Sequence, residues 1–143
     1  MALAVPDVNV LLALIHPRHV HSSHAFRWLG EQSGDKSIGV CRSVQKGVLR
    51  LLTTPSVMGP ELLAPRDAFI GFNHLMQDSR FVFLEESRSL DRFWERIIRN
   101  LPARTQIDTD TYLAAFALAN GGTIVTFDRG FKRFHGLSVI TLG

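Results

Sequence analysis

The sequence predicts an α/β fold, one parallel sheet flanked by helices on both faces. Short apolar runs alternate with stretches of helical periodicity along the whole chain, the pattern of strand and crossover helix in a parallel sheet. No repeat, low-complexity tract or long linker interrupts them, so 143 residues make about one domain, 1–143. Acids also recur just past the apolar runs: Asp7 follows Leu3-Ala4-Val5-Pro6, and Asp128 follows Thr123-Ile124-Val125-Thr126-Phe127. In an open α/β sheet such strand ends converge on one crevice.

Leu3 to Val5 reads as a short buried strand and Val8 to Leu14 as the helix after it, broken by Pro17. Past a polar, His-rich connector, Ser22 or Ser23 suits the cap of a helix to about Gln32, with Ala25, Phe26, Trp28 and Leu29 as its apolar positions. Gly30 and Gly34 flank its exit, and Ile38 to Cys41 is the second strand. Val44, Val48, Leu51 and Leu52 share a face of a helix over Ser43 to Leu52. Thr53 to Pro60 reads as a loop. Pro65 suits a first helical position, opening a helix to about Met76 through Phe69, Phe72 and Leu75. Phe81 to Leu84 is the third strand; Ser87 or Ser89 caps a helix that ends before Pro102. The strongest helical stretch opens at Asp110 and stops at Asn120-Gly121-Gly122. Strand Thr123 to Phe127 follows, and Leu137 to Leu142 closes the sheet.

Composition excludes several classes. No window approaches the ~18–20 apolar residues of a membrane span, and the N-terminus has neither a basic n-region nor a small-residue cleavage site. The lone Cys41 excludes an internal disulfide framework and suits a reducing, cytoplasmic setting. No GxxxxGK[ST] stretch is present. The formal charge of +3 and pI near 9.6 are basic, with Arg and Lys clustered at 42–50, 88–104 and 129–133. Beside an acidic metal site, such cations suit a polyanionic substrate.

Each strand-end acid also has an ordinary reading. Asp7 suits a helix N-cap, Asp110 the positive end of a helix dipole (with Asp108 or Thr109 as the cap), and Asp128-Arg129-Gly130 a turn. All three, however, fall at the same edge of the sheet. Gathered carboxylates repel one another unless a cation lies between them.

The ordered set Val-Pro-Asp7-Val-Asn9-Val-Leu-Leu-Ala-Leu, Asp110-Thr-Tyr-Leu-Ala-Ala-Phe-Ala and Thr126-Phe-Asp128-Arg-Gly-Phe131 closely resembles the PIN-domain ribonucleases. Among these it resembles the VapC toxins of bacterial toxin–antitoxin pairs. Thr53-Thr54-Pro55 after Gly47 to Leu52, and Phe131-Lys-Arg-Phe134, resemble that group too. The resemblance implies endonucleolytic cleavage of RNA with Mg²⁺ or Mn²⁺ held by acids, a cognate VapB-type antitoxin that covers the site, and a homodimer. Position by position, Asp7, Asp110 and Asp128 match the family's acids; from metal chemistry, Asp7 and Asp128 are expected as direct ligands and Asp110 to bind a second ion or position water. Asn9 and Thr126 match polar residues that orient ligands or water.

One position departs. Where the family usually has Glu at the start of a helix, this chain has Gln45. Gln offers a carbonyl oxygen to a metal or a bound water but no charge; Glu61, the nearest acid, lies in or beyond the following loop. Weaker metal affinity is the expectation. An alternative class also follows from Gln45: a catalytically weak PIN-like module that binds RNA or protein. Arg50, Arg129 and Lys132 are candidate contacts to the RNA backbone, setting affinity and register and not sequence choice. His16, His19, His21 and His24 invite a zinc reading, but they span a helix end and loop with no Cys, which favours surface or rim histidines. Phe69, Phe72, Phe93 and Trp94 fit helical core spacing.

Overall fold

The structure, a computed structural model, describes residues 3–143. Its strands are β1 (Leu3–Pro6), β2 (Ile38–Val40), β3 (Phe81–Phe83), β4 (Gly122–Thr126) and β5 (Ser138–Thr141). They form one sheet in the order β3-β2-β1-β4-β5, all pairs parallel. The helices are α1 (Val8–Ile15), α2 (Ser22–Gly30), α3 (Arg42–Leu52), α4 (Pro55–Met58), α5 (Pro65–Met76), α6 (Leu90–Arg99) and α7 (Thr109–Ala119). The chain lays β2 and then β3 to one side of β1, and afterwards β4 and β5 to the other. Crossovers are right-handed, so reversing direction puts the later helices on the opposite face. The packing agrees: α1 contacts α2, α3 and α5, and α3 contacts α5, whereas α6 packs on α7 and α7 on β4.

Val5, Ile38, Val40, Ile124 and Val125 are buried completely, as strands covered on two faces require. Val44, Val48 and Leu52 turn one stripe of α3 inward. Leu113 to Ala117 of α7 are buried on every side, where small alanines let a helix lie close to its neighbours. Gly47 serves the same end between α1 and α3: a Cβ there would lie 2.8 Å from Val8 Cγ2. Arg80, just before β3, donates to the Leu29 and Gln32 carbonyls while paired with Asp78, and so ties the end of α2 to the sheet.

Several boundaries differ from the sequence expectation for physical reasons. The stretch read as a loop over Thr53 to Pro60 contains α4 and a 3₁₀ turn at Gly59–Glu61. Pro55 starts α4, Met58 anchors it in the core, and Gly59, at φ 54°, allows the turn between them. Ser22 does not cap α2; as its first residue it turns its buried hydroxyl to donate to Ala13 O, 3.1 Å away, locking α2 to α1. Neither Ser87 nor Ser89 caps α6 through its side chain, because their hydroxyls bond each other. Phe69 is exposed on α5 while Phe72 is buried. The turn after Asp128 is a 3₁₀ helix, Arg129–Arg133, that buries Phe131.

Candidate active site

β1 has β2 on one side and β4 on the other, so the sheet's switch point lies at the carboxyl ends of β1 and β4. Asp7 and Asp128 leave the sheet there. The Asp7 amide donates to Val125 O at 2.8 Å, which extends the β1–β4 pairing to the last residue before α1. One carboxylate oxygen of Asp7 accepts from the Val8 amide at 2.6 Å; the other accepts from the Thr126 hydroxyl at 3.0 Å. The Thr126 oxygen in turn accepts from the Asp128 amide at 2.9 Å, and Asp128 folds back onto the Gly130 amide at 2.8 Å. Thr126, fully buried, thereby fixes one acid by its side chain and the other by its backbone. Burial pushes the Asp7 carboxyl above its ordinary value against these two hydrogen bonds, with the charge of Asp128 adding to the rise.

α7 starts at the same edge because a crossover helix runs back antiparallel to the strands. Its cap is Asp108, whose carboxylate accepts from the Thr111 amide at 3.2 Å. That leaves Asp110, in the first turn, free of capping and only partly exposed. Arg133 reaches from the 3₁₀ helix to within 3.3 Å of Asp108 and 3.9 Å of Asp110. Asp110 is pushed up to about 6, first by burial, then by the negative charges of Asp7 and Asp108; Arg133 opposes the rise and Asp128 adds to it. The Arg133 guanidinium thus leaves an excess of negative potential on these acids.

Asp7, Asp108, Asp110 and Asp128 line one open cleft of about 1200 Å³. Asn9 joins them from α1, and Arg42, Lys46 and Arg50 form a basic edge along α3. Trp94, Tyr112 and Glu86 lie along it as well; Tyr112 Oη donates to Glu86 at 2.7 Å, and Trp94 Nε1 to Thr111 Oγ1 at 3.0 Å. Trp94 is therefore a cleft residue as well as a packing one. Arg129 and Lys132 are not among the lining residues, and neither is Gln45, a buried side chain whose carbonyl oxygen accepts from Arg42 at 2.6 Å. Glu61 instead pairs with Arg18 at 3.3 Å.

Sequence reading passed over Glu86, and it placed Arg42, Lys46 and Arg133 in basic clusters without singling them out. For the first two a signal existed: Glu86 follows β3 and Arg42 follows β2, the same strand-end position that singled out Asp7 and Asp128. For Arg133 the cluster was visible but its acidic partners were not, since they lie 25 and 23 residues earlier in the chain. The histidines gather loosely, with the His16–His19 and His19–His21 ring centroids 6.2 and 5.6 Å apart and His21 stacked on Phe127 at 4.4 Å.

A hard divalent cation fits the donor set: oxygen ligands, spare lone pairs on Asp7 and Asp128, and uncompensated charge around Asp110. Among the described residues no three acidic, histidine or cysteine side chains converge tightly enough to enclose an ion by themselves. Mg²⁺ does not demand that, since it keeps several waters and commonly takes one or two carboxylates plus phosphate oxygens.

An acid-lined cleft at the switch point of a parallel sheet defines the class. The profile of the PIN domain matches residues 4–137, and the chain belongs to the PIN-domain family, with the VapC proteins. It is 34% identical over 138 residues to Ribonuclease VapC41 of Mycobacterium tuberculosis, covering 93% of this chain and 94% of that one. With Ribonuclease VapC29 of the same organism it shares 30% over 130 residues, covering 91% and 89%. Among solved structures, VapBC2 from Rickettsia felis bound to a promoter DNA fragment superposes with a TM-score of 0.73 at 14% identity, covering 99% of each chain. Mycobacterium tuberculosis VapC20, described as a toxin that cleaves the sarcin–ricin loop, gives 0.64 at 15% identity, covering 94% and 98%. At these identities the superpositions speak for the fold.

Proposed function

We propose that the chain, as one domain over 1–143, is a divalent-metal-dependent endoribonuclease and the toxin of a toxin–antitoxin pair. The observation that carries this reading is the gathering of Asp7, Asp110 and Asp128, from three separate elements, on one cleft with a basic wall. Relatives named as ribonucleases, and fold neighbours crystallised as VapBC pairs, support it. A VapB-type antitoxin and a second copy of this chain are the partners it implies. Among the described residues no helix is long and apolar enough to cross a membrane, and the reading places the protein in the cytoplasm, where its RNA would be.

In this reading Asp7 and Asp128 hold Mg²⁺ or Mn²⁺ directly, and Asp110 binds a second ion or positions water. A bound ion of this kind lowers the pKa of water and stabilises a departing oxygen. Thr126 aims Asp7 by donating to its carboxylate, and that hydrogen bond favours the charged form against burial. Asn9, exposed at the first turn of α1, offers an amide to water or phosphate. Arg50, in the cleft lining, contacts the RNA backbone; Arg129 and Lys132, next to Asp128 but outside that lining, would contact it farther from the acids.

The test is cleavage of a panel of structured RNAs with Mn²⁺, with Asp7→Asn alongside. Cleavage by the unaltered protein and its loss, by ~10²-fold or more, in the variant is the expected result. Equal cleavage by both would sink the reading. RNA binding without cleavage would leave the binding module that Gln45 suggests.

A further inference from the structure

Position 45 carries an amide where a carboxylate is usual in the family, and that amide is engaged. Its carbonyl oxygen accepts from the Arg42 guanidinium at 2.6 Å. The same guanidinium lies 4.6 Å above the centroid of the Phe83 ring at the end of β3. Two fixed neighbours therefore hold an otherwise mobile side chain, one through a hydrogen bond and one through its face. Neither neutralises it. Gln45 has no charge, and among the described residues no carboxylate pairs with Arg42. The other guanidinium N–H groups stay available in a planar fork that matches a phosphate.

Lys46 and Arg50 follow at four-residue steps, so the three cations share one exposed stripe of α3, about 12 Å long at 1.5 Å per residue. All three line the cleft that holds the acids, and neither Lys46 nor Arg50 is paired with a described carboxylate. A Glu at position 45 would pair with Arg42 and cancel its charge.

We propose that Arg42 contacts a phosphate of the RNA substrate at the head of a track formed with Lys46 and Arg50, and that Gln45 and Phe83 are its positioning residues. This inference rests on the ribonuclease reading and deepens it. It assigns Gln45 to substrate alignment instead of to the metal.

Binding of a fluorescein-labelled, unstructured RNA oligomer by the full chain tests it. Anisotropy is read in EDTA, where cleavage is blocked, over a KCl series. Arg42→Ala should weaken binding by ~10-fold at low salt and reduce the slope of log K against log salt by ~0.7, one single-strand phosphate contact. Gln45→Glu should reduce the slope similarly. Gln45→Ala should weaken binding in the unaltered background but not in an Arg42→Ala background, the coupling expected of a positioning residue. Arg66→Ala, an exposed cation on α5 away from the cleft, should leave the slope unchanged. Melting temperatures establish that each variant is folded, and the exposed Arg42 keeps the test valid if a buried Gln45 variant is not. Unchanged affinity and slope in Arg42→Ala would overturn the inference while leaving cleavage intact, and so would equal losses in Arg66→Ala. Failure of the unaltered protein to bind the oligomer would also overturn this inference, whereas the ribonuclease reading stands or falls separately on cleavage of the RNA panel with Mn²⁺.

Discussion

Thr126 shows how much one hydroxyl can do: it donates to Asp7, accepts from the Asp128 amide, and is itself wholly buried. Asp110 has no such support. Its carboxyl stands at about 6 in the fold against 3.8 ordinarily. A raised acid binds a proton in the folded protein that the unfolded chain has already released. Between about pH 4 and 6, then, stability falls as pH rises. Asp110→Asn removes that loss. In EDTA at pH 7.5 it should be more stable than the unaltered protein by ~1–2 kcal/mol, a figure discounted for solvent screening, with the gap closing near pH 4. Urea melts at several pH values measure it; a variant less stable at pH 7.5 would refute the account. At this scale the three aspartates were legible in the sequence, because acids at a strand end or at the opening of a helix announce themselves locally. Gln45 was legible as a departure but not in its contact. Only the folded helix shows that its oxygen belongs to Arg42.

At the scale of elements, α3 carries the basic wall of the cleft on one face and core residues on the other, and it is held near α1 by Gly47. Alanine there would bring a Cβ to 2.8 Å from Val8 Cγ2, and a β-branched valine has little room to turn away. Alanine's better helix propensity returns up to ~1 kcal/mol, so overpacking should leave Gly47→Ala net destabilised by ~1–2 kcal/mol. Moving α3 outward also moves Arg42 and Arg50, so weaker RNA binding should accompany the lower melting temperature. A variant as stable as the unaltered protein would show that the crossing relaxes freely. Helix and strand identities were largely readable from periodicity. Caps were readable in part: Asp7 caps α1, and Asp108, one of the two residues the sequence offered, caps α7, whereas Ser22 turns its hydroxyl to Ala13. A side chain with several possible partners is decided by what the fold brings near.

Across the whole molecule, the acids of the cleft come from just past the ends of β1 and β4 and from the start of α7, whose junction is otherwise strained by like charge. A divalent ion bound there links them, and any ligand specific to the folded state stabilises it by mass action. Mn²⁺ at ~100 times its dissociation constant should add ~2.7 kcal/mol and raise the melting temperature by several degrees. EDTA should reverse the shift, and Asp128→Asn should lose most of it. Calorimetry with and without metal decides this, and an equal shift in Asp128→Asn would place the ion elsewhere.

Local chemistry along the chain was sufficient for the class of fold, the order of elements and the strand-end acids, since alternation, periodicity and punctuation depend on near neighbours in sequence. Packing settled the rest. Which strands flank β1, that Arg133 leans on Asp108 and Asp110, that Glu86 shares their cleft, and that Phe83 lies beneath the Arg42 guanidinium all depend on neighbours in space. Contacts of that kind join residues far apart in the chain, and no local pattern encodes them.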